Sequence, residues 1–161
     1  SMMGKPGEGF KKFLKTLVSG RISIGALSLG TAIGAYEKAL NYSCERKSFG
    51  KTINKFQSVA FKLADMATKI ESSKHLVYNA AWLQDQGCDF TKEAAMAKLQ
   101  SSEAAMDIAT EAIQIMGANG YVREGKVERY FRDAKILEIG EGTSEIQRII
   151  ISRKIIENYK S

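Results

Sequence analysis

Proline is almost missing from this chain: among 161 residues it occurs once, at Pro6. Its lost N–H and its ring clash are what usually break a helix, so nothing after residue 6 forbids very long ones. Histidine is equally scarce. A di-iron site in a helical bundle needs two Glu-x-x-His elements, and His75 alone excludes it. His75 reads as an ordinary helix residue, and no metal site is expected. The two cysteines, Cys44 and Cys88, are far apart and form no CxxC pair. They read as reduced thiols of a cytosol-like compartment, without a redox motif or a zinc knuckle. No apolar run approaches the ~18–20 residues of a membrane span, and no stretch reads as a secretory signal. Charge of one sign is never massed. The formal net charge is +6, but the lysines are scattered at helical intervals among apolar residues, as on solvated helix faces. Nucleic acid would need a coherent basic stripe and is not an expected partner.

What is abundant is helix-forming residues with apolar ones at spacings of three and four. The spacing predicts four long helices, over 9–46, 54–86, 91–118 and from about 143 onward. On the first, Phe10, Phe13, Leu14 and Leu17 share a face, followed by small residues such as Gly25, Gly30 and Gly34 that would admit a close neighbour. On the second, Leu63, Met66 and Ile70 lie on the buried stripe; on the third, Ala105, Ile108, Ala109 and Ala112. The last carries Ile146, Ile149, Ile150 and Ile155. Joints at Phe49-Gly50-Lys51 and Gly87-Cys88-Asp89 are short and force antiparallel neighbours. The expected fold is therefore all-α, an up-down four-helix bundle over residues 9–159. Ser1-Met2-Met3 reads as a tag remnant, with residues 1–8 a disordered lead. The exception to this economy is residues 119–142, a Gly-rich, charged connection with a short helical piece near 126–133. Long irregular connections on compact scaffolds are where function concentrates.

Three clusters could carry chemistry, each with a plain alternative. In Gly140-Glu141-Gly142-Thr143 two glycines around one Glu permit a sharp turn and a close ligand, and Thr143 is a credible N-cap. Spacing alone equally suits a turn with a solvated Glu. Arg46-Lys47-Ser48-Phe49-Gly50 could simply end a helix, although Phe49 is then unexplained. Gln114-Ile115-Met116-Gly117-Ala118-Asn119-Gly120 is a helix stop; it follows no strand and is not a dinucleotide fingerprint. Arg21 continues the apolar stripe of the first helix. It either snorkels or meets an anionic or carbonyl partner.

Taken together and in order, Arg46-Lys47-Ser48-Phe49-Gly50 with Gln57, Gln114-x-x-Gly117-x-x-Gly120-Tyr121, Arg132-Asp133-Ala134-Lys135 and Glu141-Gly142-Thr143-Ser144-Glu145-Ile146-Gln147-Arg148 resemble the C-terminal domain of acyl-CoA dehydrogenases. The resemblance runs over nearly the whole chain. It implies a flavoenzyme domain with FAD at a subunit interface, oxidising the Cα–Cβ bond of an acyl-CoA thioester. Glu141 would be the base for the α-proton, its backbone helping to hold the thioester oxygen. Relatives that carry the base on the first helix place it just before the Arg; here that position is Gly20. Arg46, Ser48, Phe56 and Gln57 would contact FAD near its pyrophosphate. Gln114 and Ala118 would touch its adenine end from a partner subunit, and Thr143, Ser144 and Glu145 its ribityl or phosphate part. Val18, Ser19, Gly20, Arg21 and Gly142 would line the substrate channel.

The same resemblance implies a homodimer or homotetramer, an electron-transferring flavoprotein as acceptor, and a cytoplasmic or, in a eukaryote, mitochondrial-matrix location. It also implies N-terminal helical and central β domains that these residues do not supply, so the chain by itself is expected to be inactive. An oxygen-using acyl-CoA oxidase relative and a non-catalytic oligomerisation module are the alternatives. Two departures from the family pattern stand out. Gly140 replaces a frequent aromatic before the catalytic Glu, which predicts a roomier acyl pocket, and Ala118 replaces a frequent Gly.

Overall fold

The computed structural model describes residues 7–160. Most of the expected lead lies outside the described residues. Helix α1 runs Gly9–Glu45, α2 Gln57–Asp85, α3 Thr91–Met116, α4 Ala118–Tyr121, α5 Glu128–Ile139 and α6 Ser144–Lys160. The all-α expectation holds, with one local addition. Between α1 and α2 the chain makes a two-stranded hairpin, β1 (Lys47–Ser48) and β2 (Lys51–Thr52), with Lys47 opposite Thr52 and Ser48 opposite Lys51. Its loop is Phe49-Gly50, with φ of 48° and 78°. Positive φ at both loop residues matches the right-handed twist of a tight hairpin. Gly50 thus serves the hairpin, and α1 ends earlier, where the Arg46 N–H donates to the Tyr42 carbonyl at 2.8 Å.

Ion pairs between helices fix the directions. Lys62 pairs with Glu111 and Lys69 with Asp107, so α2 and α3 are antiparallel. Arg148 pairs with Glu103 and Lys154 with Asp89, so α6 also runs against α3. These pairs are half-exposed and report geometry more than stability. At the centre, α3 packs on α1, α2, α5 and α6. Its buried positions are mostly Ala and Ser, with Ile108 fully enclosed, and small side chains let the helix axes approach closely. The fourth place in the bundle is shared by two helices, because the piece expected near 126–133 is a full 12-residue helix, α5.

Burial departs from the stripes at both ends of the chain. Phe10, Phe13 and Leu14 are 75%, 60% and 44% exposed, since no described element packs on the first turns of α1. Ile146, Ile149 and Ile155 of α6 are exposed as well, and what that helix buries instead is Ser144 and Gln147. An 18-residue window within Lys12–Glu45 is apolar enough on average to pass for a membrane span. Packing of α1 along α2, α3 and α5 accounts for the same composition in a core helix.

Candidate active site

The connection from α5 to α6 is one of three places among the described residues where a non-glycine residue takes a positive φ, the others being Phe49 and Lys126. Gly140 leaves α5 extended (φ −63°, ψ 151°), and Glu141 then adopts φ 55°. A non-glycine residue in the left-handed region carries a backbone cost of about 1–2 kcal/mol, and such outliers cluster at functional sites. Gly142 follows at φ 95°, and a Cβ there would lie 2.9 Å from Gln147 Nε2, so the position suits only glycine.

This turn aims the Glu141 carboxylate at α1. A Cβ built on Gly20 would lie 2.8 Å from Glu141 Oε2 and 3.1 Å from its Cδ. The carboxylate therefore occupies the space that a side chain at position 20 would need. Next along α1 is Arg21, only 8% exposed, with an Nε that has no hydrogen-bond partner. Burial lowers the Arg21 pKa, and the charge of Glu141 pushes it back up. Arginine keeps its proton regardless, so the pair sets a fixed positive charge beside the carboxylate.

Ser19 and Val18 sit one and two residues earlier, in a cleft of about 560 Å³ shared with Gln84, Cys88 and Phe90. The Ser19 hydroxyl accepts a bond from Gln84 Nε2 at 3.1 Å. Gly20, Arg21 and Glu141 are thus brought together, with Ser19 and Val18 alongside on α1.

At the start of α6, Thr143 is the N-cap, its Oγ1 accepting a long bond from the Ile146 N–H at 3.5 Å. The pKa of exposed Glu145 is lowered by its own backbone N–H and then by the Thr143 hydroxyl. Ser144 is buried, and its Oγ is unpartnered, as is Gln147 Oε1. Orphaned buried polar atoms of this kind are expected where a ligand completes the set. Thr143, Ser144 and Glu145 line one cleft of about 270 Å³ with Lys135, Glu138 and Arg148.

The other predicted cofactor residues do not join this group. Arg46 is exposed at the end of α1, Ser48 lies in β1, and Phe56 and Gln57 begin α2. Phe49 is 93% exposed at the hairpin tip, edge-on to Phe56 with ring centres 6.3 Å apart. Gln114 lines a groove of about 780 Å³ with Ile113, Tyr121, Phe131 and Arg132. Ala118 is exposed, and its neighbour Asn119 donates to the Tyr42 hydroxyl at 2.9 Å, which puts this stretch at the hairpin end of α1. From Gly20 to Arg46 the chain travels about 39 Å along α1 at ~1.5 Å per residue. The residues expected to hold a dinucleotide such as FAD thus fall into two groups at different places along α1. The donor types fit such a ligand: a guanidinium, hydroxyls and amides for phosphates and hydroxylated linkers, and exposed aromatics for a ring.

Two buried polar residues at the turn were not singled out from the sequence. Gln147, fully buried, donates to the Gly142 carbonyl at 2.8 Å and lies 3.4 Å from that of Glu141. Lys98, also fully buried, donates to the Glu138 carbonyl at 2.9 Å. The available signal for Lys98 was its register, since it interrupts the small-residue stripe Ala94, Ser101, Ala105.

Residues 7–156 match the family model for the acyl-CoA dehydrogenase C-terminal domain. The short-chain specific acyl-CoA dehydrogenase of Clostridium acetobutylicum is 50% identical over 155 residues, covering 96% of this chain and 41% of that protein. The mitochondrial short-chain specific enzyme of Homo sapiens is 50% identical over 161 residues, covering 100% and 39%. Butyryl-CoA dehydrogenase of Megasphaera elsdenii superposes with a TM-score of 0.95 at 46% identity, covering 96% of this chain and 40% of that one. The chain thus spans about two-fifths of the length of these relatives. It belongs to the acyl-CoA dehydrogenase family, and the part of that family it matches is the C-terminal domain.

Proposed function

We propose that this chain is the base-bearing helical domain of an FAD-dependent acyl-CoA dehydrogenase and that Glu141 removes the α-proton of an acyl-CoA thioester. The observation that carries this reading is the strained turn, which sets the Glu141 carboxylate against Gly20 beside buried Arg21. Bound FAD would supply the hydride acceptor for the β-hydrogen. This chain's own residues do the rest. The Glu141 carboxylate accepts the α-proton, and a positioned base of this kind contributes roughly 10²–10⁴-fold. Its backbone N–H faces the thioester oxygen, on which negative charge develops. Arg21 and the Ser19–Gln84 pair line the approach. Thr143 and Ser144 supply hydroxyls to the flavin's linker, and Arg46, Ser48, Phe56, Gln57, Gln114 and Ala118 hold the cofactor of a second copy.

That division supports a homo-oligomer, because no single chain holds one complete set. Relatives named as short-chain specific favour short acyl-CoA substrates, with electron-transferring flavoprotein as the acceptor. Without the remaining three-fifths of its relatives' length, the chain alone does not turn over. The test is anaerobic mixing of the flavin-loaded, full-length protein with a series of acyl-CoAs. Bleaching of the flavin by short acyl-CoAs is expected, and an unreduced flavin throughout the series would refute the reading. The same assay on the isolated chain is expected to show no turnover.

A further inference from the structure

Among side chains with essentially no exposure, the largest is a lysine, Lys98. On α3 its buried neighbours are Ala94, Ala97, Ser101 and Ser102, so a long cationic side chain is out of keeping with the helix. A Met or Leu would fill the same space without the cost of burying an ammonium, which needs partners to be tolerated. Burial pulls the Lys98 pKa down, and the carboxylates of Glu138, Glu103 and Glu145 support the charge.

The partner that Lys98 reaches is informative. Had α5 continued, the Glu138 carbonyl would accept the N–H of Gly142. The chain instead turns away at Gly140 and enters the left-handed region at Glu141, which leaves that carbonyl without its helical donor. Lys98 Nζ takes the vacant place at 2.9 Å. On the far side of the turn, Gln147 holds the Gly142 carbonyl at 2.8 Å. Residues 138–142 are thus clamped before and after Glu141 by two fully buried side chains, one from α3 and one from α6.

We propose that Lys98 is a positioning residue for Glu141: its ammonium replaces the helix donor lost at the turn and keeps the carboxylate over Gly20. The catalytic consequence rests on reading Glu141 as the base; the clamp itself does not.

Lys98→Met removes charge and donors at nearly constant volume. In this chain, amide hydrogen exchange at residues 139 and 140, which close the end of α5, is expected to accelerate at least tenfold, with the core amides of α1 and α3 unchanged as internal reference. Equal acceleration everywhere, or none at the turn, would overturn the proposal. If the variant does not fold, the parent chain gives the answer by NMR. Lys98 Nζ protons protected from solvent exchange and close to residues 138 and 139 support the clamp, and freely exchanging ones refute it. In the flavin-loaded enzyme, Lys98→Met is expected to lower kcat at least tenfold with KM and flavin content held. A loosened turn with intact kcat would break the link to Glu141. Undiminished turnover in a Glu141→Gln control would sink the base assignment while leaving the clamp standing.

Discussion

Gly20→Ala is expected to make the chain more stable and the enzyme slower. In the interior of a helix, Ala is favoured over Gly by roughly 0.5–1 kcal/mol, because Gly loses more backbone freedom on folding. Against that gain stands the Glu141 carboxylate, whose Oε2 lies 2.8 Å from the new Cβ, about 0.6 Å inside the 3.4 Å where ordinary contact begins. The obstructing atom is the far end of a flexible side chain, so it moves aside at little cost to folding. Catalysis has less tolerance, since a misplacement of about 1 Å can cost ~10²-fold. A shift of about 0.6 Å is then worth roughly tenfold in kcat. Gly30→Ala is the control: it lies in the same helix with nothing within 4 Å, and should show the stability gain alone. Urea unfolding of the chain and steady-state dehydrogenation by the flavin-loaded protein read the two effects. Full activity in Gly20→Ala, or a stability more than ~1 kcal/mol below that of Gly30→Ala, would refute the placement of Glu141 over Gly20.

Three further perturbations have defined outcomes. Glu141→Gly relieves the residue at φ 55° and is expected to stabilise the chain by about 0.5–1 kcal/mol while abolishing turnover, read by paired melting and activity measurements. Gly140→Tyr has room at its first atom, since the nearest neighbour of a Cβ there is the Ile136 carbonyl at 3.4 Å. It is expected to narrow the range of acyl lengths accepted, and an unchanged length profile would remove Gly140 from the pocket. The Asp89 pKa is pulled down to about 2, first by the Thr91 hydroxyl, then by the Thr91 N–H and by Lys154. A folded-state value below the unfolded one, near about 4, stabilises the fold above pH ~4, and that share is lost as pH falls through ~2. Because its side chain is 63% exposed, the gain is discounted to about 1 kcal/mol or less. Acid titration of stability for Asp89→Ala against the parent should show a difference that shrinks across that window.

How much of this was legible in the sequence varies with the interaction concerned. Long helices followed from period and from missing proline, and the short joints gave their antiparallel order. Local turn chemistry was legible in outline: Gly140-Glu141-Gly142 marked the turn, while the positive φ at Glu141 itself is set by its surroundings. The apolar stripes misled at Phe10, Phe13, Ile146 and Ile149, because periodicity tells which face is apolar and not whether a partner covers it. The hairpin at Phe49-Gly50 was missed because two-residue strands leave no period to detect. Lys98 and Gln147 were missed for a different reason, since each acts through a backbone carbonyl on another helix or turn, which no spacing along one helix reveals.

Everything proposed for the site turns on Glu141 as the acceptor of the α-proton. The most direct test is exchange of that hydrogen: a non-oxidisable acyl-CoA analogue with an acidic α-position is incubated in heavy water with the flavin-loaded enzyme and with Glu141→Gln. Rapid α-deuteration is expected of the parent, with a loss of at least ~10²-fold in the variant, flavin and ligand binding being retained. Deuteration by Glu141→Gln at the parent rate would assign the proton to another group and rule Glu141 out as the base.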